Sequence, residues 1–575
     1  VHKVNFDWNE LENSVHALPL PELAEADAKT YLRHFGLSDA VALDKVYQFT
    51  GGYPLLLVLV RHLAKEAGAW ENIGTLYMQL INVALRAFGP SAFALRLLPA
   101  VGGSLAIVTT YALARLLGGR PVAVLAAFLL AVSHIHLHFS RTAAVTYIQG
   151  TWLVPLEVYF LLSGLQRRSS WRAALGGVLL AIHMDVYISA QMMTGIFIVY
   201  SIILAAGFRR EFRAVWRQLV VFWGGFALTV LPQASYMLRR PEEWLSRLNA
   251  DGTFNSGWLA NEVAITGKST VQILVERVAH AFLSLIYYPA IDFYGSPVPV
   301  LSFVAAVLFL LGLGYTLFRV RSLDGLLLNG YFWGMTVAVA VFAIPPSADS
   351  YRMIVALPAV MIMAGMGLDQ GLTQIGLSWT RDRFRYGAVV SIILVGLMTF
   401  NLWTYFFDFV GRCRYGGDQQ TRFASHLGTV VHNLGSEGSI FLLSDATFFY
   451  GSHASVDFLT QRRVITNVSE PVESIEAVSG ETIIASPPRV EELLQWTRSH
   501  PGGTLHYQRD CNAVILLAEL DPFPPQGSRD DLAFLQGVYD TGGSAFFDIV
   551  AARLDGGSST PYDRTTRSNR GNMSR

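Results

Sequence analysis

Between Phe93 and Phe409 this chain alternates long apolar runs with short polar turns. The stretch from Phe93 to Phe139 sets the pattern. FALRLLPAVGGSLAIVTTYALARLLGG leads through Gly118-Gly119-Arg120-Pro121 into PVAVLAAFLLAVSHIHLHF. A helix needs about 20 predominantly apolar residues to cross a bilayer core, so the stretch predicts a hairpin of two membrane helices. With this pair (93–115 and 121–139), runs at 144–163, 172–189, 191–207, 218–237, 297–318, 325–344, 352–372 and 387–408 give about ten spans.

The turns between these runs alternate in charge. One set holds Arg115/Arg120, Arg167/Arg168/Arg172, Arg209/Arg210/Arg213/Arg217, Arg319/Arg321 and Arg381/Arg383/Arg385. The other holds Arg141, the turn 345–351 and the long loop 238–296, which is mixed in sign. Basic residues stay on the cytoplasmic side, so the first set is expected inside. The second set, and all that follows Phe409, is expected outside.

Both flanks read differently. Residues 1–70 predict a soluble helical segment, in which YPLLLVLVRHLA is too short to span and suits a buried core helix. No apolar leader opens the chain at Val1. Beyond Val410, SIFLLS (439–444), RVITNV (463–468), ETIIA (481–485), TLHYQR (504–509) and AVILLAEL (513–520) predict strands, with an amphipathic helix over 488–500. The expected organisation is therefore 1–70 soluble and helical, 71–409 in the membrane, 410–555 an outer α/β domain, and 556–575 a disordered tail rich in Gly, Ser, Thr and Arg.

Composition agrees. Hydrophobic residues make up 52% of the 575 and charged residues only 15%, against about a quarter charged in soluble proteins. Lys+Arg and Asp+Glu are equal at 43 each, so no bulk attraction to nucleic acid is expected. The two cysteines, Cys413 and Cys511, are too few for a disulfide scaffold, but both fall in the outer part, where a bond between them is allowed.

Polar side chains at membrane depth are costly and mark function. Those on the outer side are His134, His136, His138, Ser140, Arg141, Asp185, Asp292, Asp349 and Arg352. His134 and His138 share a helix face at i, i+4. That spacing could take a divalent metal, although no carboxylate or cysteine is adjacent; interfacial histidines at a helix end are the alternative. Asp185 stands at the outer end of its run. Arg352 follows a Pro-Pro turn at the mouth of a helix, and its planar fork suits a phosphate. Thr266-Gly267-Lys268-Ser269 is no phosphate loop, since Glu262 replaces the leading glycine.

ENIGTLYMQLINVALRAFGPSAFALRLLPAVGGSLAIVTTYALARLLGGR resembles a stretch of the polyprenyl-phosphate-sugar glycosyltransferases of the GT-C membrane class, which include protein O-mannosyltransferases and the lipid A aminoarabinose transferase. Phe88-Gly89, Phe93-Ala94-Leu95-Arg96-Leu97, Pro99 and Ser140-Arg141 carry the likeness, joined by YRMIVALPAVMIMAGMGL and NLWTYFFDF over about 71–470. The resemblance implies inverting sugar transfer at the outer face of the plasma membrane, from a polyprenyl-phosphate-linked sugar to a protein, lipid or glycan acceptor, with no required cofactor. A carboxylate would act as base on the acceptor, and cations would hold the departing phosphate; Arg141 and Arg352 are the expected phosphate ligands.

The chain departs from the pattern at its start. Members open with a membrane helix and an outer loop carrying an acidic pair. Here FTGGYPLLLVLVRHLA resembles the helical lid of AAA-type ATPases instead, and Glu71 is the only acid just before the matching stretch. Glu71 is therefore the leading catalytic candidate, with Asp292 and Asp349 as runners-up on outer loops and Asp185 a further candidate site residue. The departure leaves two expectations: a truncated or fused reading frame, inactive as written, or another acid taking the role of the base. Other classes stay open: an inactive relative serving as a binding scaffold, or a polytopic transporter.

Overall fold

The computed structural model describes Lys29, most of residues 75–343, residues 352–409 and most of 419–520. These fall into two compact units that part near Tyr415. The ATPase-lid-like segment, Glu71, Asp292, Asp349, both cysteines and the tail lie outside the described residues.

The first unit is helical. α1 (Thr75–Phe88) precedes α2 (Ala92–Val132), whose N-terminus is capped by Ser91, its hydroxyl accepting from the Ala94 amide at 3.2 Å. Gly119, at φ 80°, breaks α2 into the predicted hairpin; this left-handed backbone suits glycine. Extended backbone at Ser133 separates α2 from α3 (His134–Arg141). α4 (Tyr147–Gln166), α5 (Ser170–Met184), α6 (Ser189–Gly207) and α7 (Arg209–Arg239) follow, then the short α8 (Trp258–Thr266) and α9 (Thr270–Ser284). α10 (Phe303–Phe318), α11 (Leu323–Phe342), a 3-10 turn (Met353–Ala356), α12 (Leu357–Gln374) and α13 (Arg383–Trp403), continued as a π-helix over Thr404–Phe409, complete the unit.

Among the described residues seven helices are long and apolar enough to cross a membrane by length and composition, α2 being counted once across its break. Every predicted run falls on helix, with two corrections besides the break at Ser133 inside the run 121–139. The run 172–189 is not continuous: α5 ends at Met184 and a turn through Asp185 leads into α6. The run 297–318 becomes helical only at Phe303, after Pro299, which lacks an N–H to give to a helix.

α12 is buried on all sides from Leu357 to Leu368 and forms the centre of the unit. α7 and α13 instead turn Leu228, Leu231, Ile392, Val395 and Trp403 outward, as lipid-facing helices do. Lipid tails are as apolar as leucine, so helix association there relies on close packing rather than escape from water. α5 and α7 achieve it through Gly177 and Gly225, where an added Cβ would collide with the Phe222 and Ala174 carbonyl oxygens.

The second unit holds a sheet ordered β2-β1-β3-β5-β4. β1 (Ile440–Leu443) pairs parallel with β2 (Ile465–Val468) and β3 (Thr482–Ala485), and β5 (Ala513–Leu520) pairs antiparallel with β3 and β4 (Gly503–Asp510). All the predicted strands are present. The predicted helix over 488–500 is α16 (Val490–Ser499), while α14 (Gln419–Asn433) and α15 (Ala454–Leu459) are additions. Just before α16, Arg489 donates to the Ser444 and Glu470 carbonyls at 3.1 and 2.6 Å and pairs with Glu492 at 2.6 Å, tying strand ends to the helix.

Candidate functional site

Three groups of polar side chains gather at the helix ends expected to face outward. The first surrounds α3. Arg141, at its C-terminus, places its guanidinium carbon 5.7 Å from the Tyr405 ring centre and 5.5 Å from that of Phe406. It also donates a hydrogen bond to Tyr405, which feels the charge of Arg96 as well. Arg96 belongs to the Phe-Ala-Leu-Arg-Leu motif of α2, so Arg141 touches this tyrosine of the last membrane helix and a second motif arginine lies within charge range of it.

Two of the α3 histidines pack against one tyrosine. His134 and His138 do share a face, and both stack on Tyr294, with ring centres 5.5 and 4.3 Å away. His134 Nε2 lies 3.0 Å from the Pro299 carbonyl, and Nδ1 lies 2.9 Å from the Tyr294 hydroxyl. A carbonyl only accepts, so in the neutral ring Nε2 carries the proton and Nδ1 accepts from the tyrosine. Neither nitrogen of His134 offers a free lone pair, and among the described residues no three His, Cys, Asp or Glu side chains converge as ligands. His134 and His138 thereby clamp the segment between α9 and α10 onto the bundle.

Arg352 and Arg277 form the second group. Arg352 immediately precedes the 3-10 turn. Arg277 lies on the buried stripe of α9 with Ile273, Ala281 and Ser284. Its Nε donates to the Ala340 carbonyl at 2.6 Å, and its guanidinium carbon sits 4.7 Å from the Trp258 ring centre. Nη1 is buried without a protein acceptor. Burial first, and then the charge of Arg352, lower the Arg277 pKa to about 10; it stays charged at neutral pH. Sequence reasoning missed Arg277 inside the long loop. The readable signal was a cation on the apolar face of an amphipathic helix, TVQILVERVAHAF.

The third group is the turn between α5 and α6. Asp185 is half-buried there and has no hydrogen-bond or ion-pair partner among the described residues; burial pushes its carboxyl up. The turn itself is firmly held. The Val186 and Tyr187 amides donate to the His183 carbonyl, Gln233 donates to the Met184 carbonyl at 3.1 Å, and Tyr187 packs edge-on against Tyr147 at 5.4 Å.

Of the expected phosphate ligands, then, Arg141 is grouped with Arg96, and Arg352 with Arg277. The Asp185 turn and the Arg352 turn come together on α4 at Gly150. A Cβ there would lie 3.0 Å from both the Ser189 hydroxyl and a Val355 methyl.

Known proteins share features of this chain. Residues 74–235 match the family described as dolichyl-phosphate-mannose-protein mannosyltransferase. The match begins after the ATPase-lid-like segment and lends that likeness no support. No curated protein matches the chain. Among solved structures, ArnT from Cupriavidus metallidurans bound to undecaprenyl phosphate is similar at 13% identity and TM-score 0.41, over 80% of this chain and 90% of its own. The Archaeoglobus fulgidus oligosaccharyltransferase in complex with Zn and sulfate is similar at 13% identity and TM-score 0.43, over 76% and 63%. The family match over 74–235 falls on the same helices as the sequence motifs from Phe88 to Arg141, so that stretch of the chain is similar to the mannosyltransferase family.

Proposed function

We propose that this chain transfers a sugar from a polyprenyl-phosphate donor to an acceptor hydroxyl or amine at the outer face of the plasma membrane. The observation that carries the reading is the Arg277–Arg352 pair. The two like charges lie within electrostatic range of each other, and the buried Nη1 of Arg277 lacks an acceptor among the described residues. A phosphate would supply that acceptor and offset the repulsion. Arg96 and Arg141 form a second cationic wall, suited to the same headgroup or to the acceptor. The arginine-rich turns at Arg120, Arg167/Arg168, Arg209/Arg210, Arg319/Arg321 and Arg381/Arg383 support an outward placement of both groups, and of the α/β domain over 410–555.

In the mechanism, a carboxylate takes the acceptor proton as the acceptor oxygen or nitrogen attacks the anomeric carbon from the face opposite the phosphate. The anomeric carbon–oxygen bond breaks, and polyprenyl phosphate leaves with the electron pair, its charge held by guanidinium groups. Among the described residues Asp185 is the acid best suited to act as this base, being half-buried, unpaired and on the outer side. Glu71, Asp292 and Asp349 are the rival positions. The donor tail would remain in the bilayer, so the site must open to lipid.

Direct binding of undecaprenyl phosphate to the full chain in lipid nanodiscs tests the reading. Saturable binding that Arg277→Ala weakens is expected. Binding unchanged in both Arg277→Ala and Arg352→Ala overturns the assignment of the pair.

A further inference from the structure

Three side chains deep in the helical unit form a continuous chain that the transfer mechanism does not use. Glu157 Oε1 lies 2.7 Å from His183 Nδ1, and His183 Nε2 lies 2.9 Å from the Ser189 hydroxyl. Glu157 and His183 are 0% exposed and Ser189 is 2% exposed. The order acid, imidazole, hydroxyl matches a hydrolytic triad, but a hydroxyl so enclosed has no substrate to attack. Its position suits another role.

The chain joins three helices and brackets one turn. Glu157 comes from α4, His183 from the last turn of α5, and Ser189 from the first residue of α6. The His183–Ser189 bond therefore closes the turn that carries Asp185. The same chain reaches the donor side along two routes. Ser189 and Val355 both abut Gly150, each about 3.0 Å from where a Cβ would stand. Glu157 lies within charge range of Tyr331, whose hydroxyl donates to the Val355 carbonyl at 2.6 Å. Val355 sits in the 3-10 turn that Arg352 opens.

We propose that the Glu157–His183–Ser189 chain is a positioning device that fixes the Asp185 turn against the Arg352 turn, holding acceptor and donor in register. The functional part of this inference rests on the transferase reading; the geometric part does not. Polar bonds inside a packed bundle suit the role because each broken bond strands a buried partner, so the arrangement is strongly preferred over looser ones.

The test has two arms. In the full chain with Cys413→Ser and Cys511→Ser, spin labels at Asp185→Cys and Arg352→Cys report the distance between the turns. A single narrow distance is expected. Ser189→Ala and Glu157→Leu should broaden or shift it by about 1 Å, a displacement that costs on the order of 100-fold in rate. Glu157→Gln, which keeps an oxygen for His183, should stay close to the parent. An unaltered distance in Ser189→Ala overturns the proposal, whether or not Glu157→Leu folds. In the second arm, without labels, Ser189→Ala should lower kcat at least about tenfold with donor KM unchanged, and Glu157→Gln should retain most activity. Loss of kcat and donor binding together with thermal stability would mark a merely structural role and overturn it. If the parent chain transfers nothing while the distance arm behaves as expected, the transferase reading fails and the positioning geometry stands.

Discussion

Arg277, on an amphipathic helix, lies within charge range of Arg352, at the mouth of a membrane helix, with the Glu262 carboxylate offsetting part of the repulsion. Such a pair is unfavourable on its own. The Trp258 ring face and the Ala340 carbonyl offset part of the cost for Arg277, and a bound anion would offset more. Arg277→Ala should therefore weaken binding of undecaprenyl phosphate by about 1.5–3 kcal/mol, roughly 10- to 100-fold in Kd. Arg277→Lys should rescue only partly, because a compact ammonium can neither stack on Trp258 nor present a fork. Titration of both variants in nanodiscs checks this.

Arg141 makes a separable prediction. Its guanidinium leans on two aromatic rings and bonds to Tyr405. Arg141→Ala should weaken the donor interaction, and Arg141→Lys should restore part of it. Tyr405→Phe, which keeps the ring and removes the hydroxyl, should fall between wild type and Arg141→Ala. Equal donor affinity in all the variants would remove Arg141 from the site.

Asp185 sets a pH dependence with a definite sign. Burial raises its folded-state pKa above the unfolded value, which is about 3.9. A raised carboxyl favours the protonated folded state. Its stabilising contribution is thus fully present below the unfolded pKa and lost as pH rises through the folded pKa. A base must be ionised, so turnover should move the opposite way and rise with pH through that same raised value. Asp185→Asn should abolish turnover and increase thermal stability at neutral pH. A pH–rate profile and a melting series at matched pH values check both. An Asp185→Asn enzyme with normal turnover would pass the acidic role to Glu71, Asp292 or Asp349.

Much of this arrangement was legible in the sequence, for identifiable reasons. Apolar runs separated by arginine-rich turns have one economical solution, and each predicted span holds helix, although 121–139 and 172–189 are interrupted and 297–318 starts late. The strands at 439–444 and 481–485 were readable because both strands of the central pair are apolar. What escaped notice depends on partners distant in sequence. Nothing local distinguishes His134 as a clamp from His134 as a ligand; Tyr294 and Pro299, which occupy both its nitrogens, lie far along the chain. Glu157 reads as a lone acid in a membrane run until His183 folds onto it. Arg277 and α14 were missed although their helical spacing was present, with Phe423, Leu427, Val430 and Val431 forming the buried stripe of α14.

The clamp itself can be tested. Tyr294→Phe keeps the ring that stacks on His138 but leaves the buried Nδ1 of His134 without its donor. An unsatisfied buried group costs about 1–3 kcal/mol, so the thermal midpoint in detergent should fall. His134→Phe, which removes the orphaned nitrogen together with the lost bond, should lose less in the Tyr294→Phe background than in wild type. Strictly additive losses would show that the two side chains are not coupled.

The central claim is that this chain moves a sugar off a polyprenyl-phosphate donor by means of cations at its outer helix ends. The most direct measurement reconstitutes the full chain in liposomes with a polyprenyl-phosphate-linked radiolabelled sugar and a mixed pool of peptide, lipid and glycan acceptors. The unlabelled polyprenyl phosphate released is then followed together with label on the acceptors. The account predicts release matched by transfer in the wild type, and neither in Arg277→Ala/Arg352→Ala. Transfer undiminished in that double variant, or a folded wild type that binds the donor and never releases its phosphate, would contradict it.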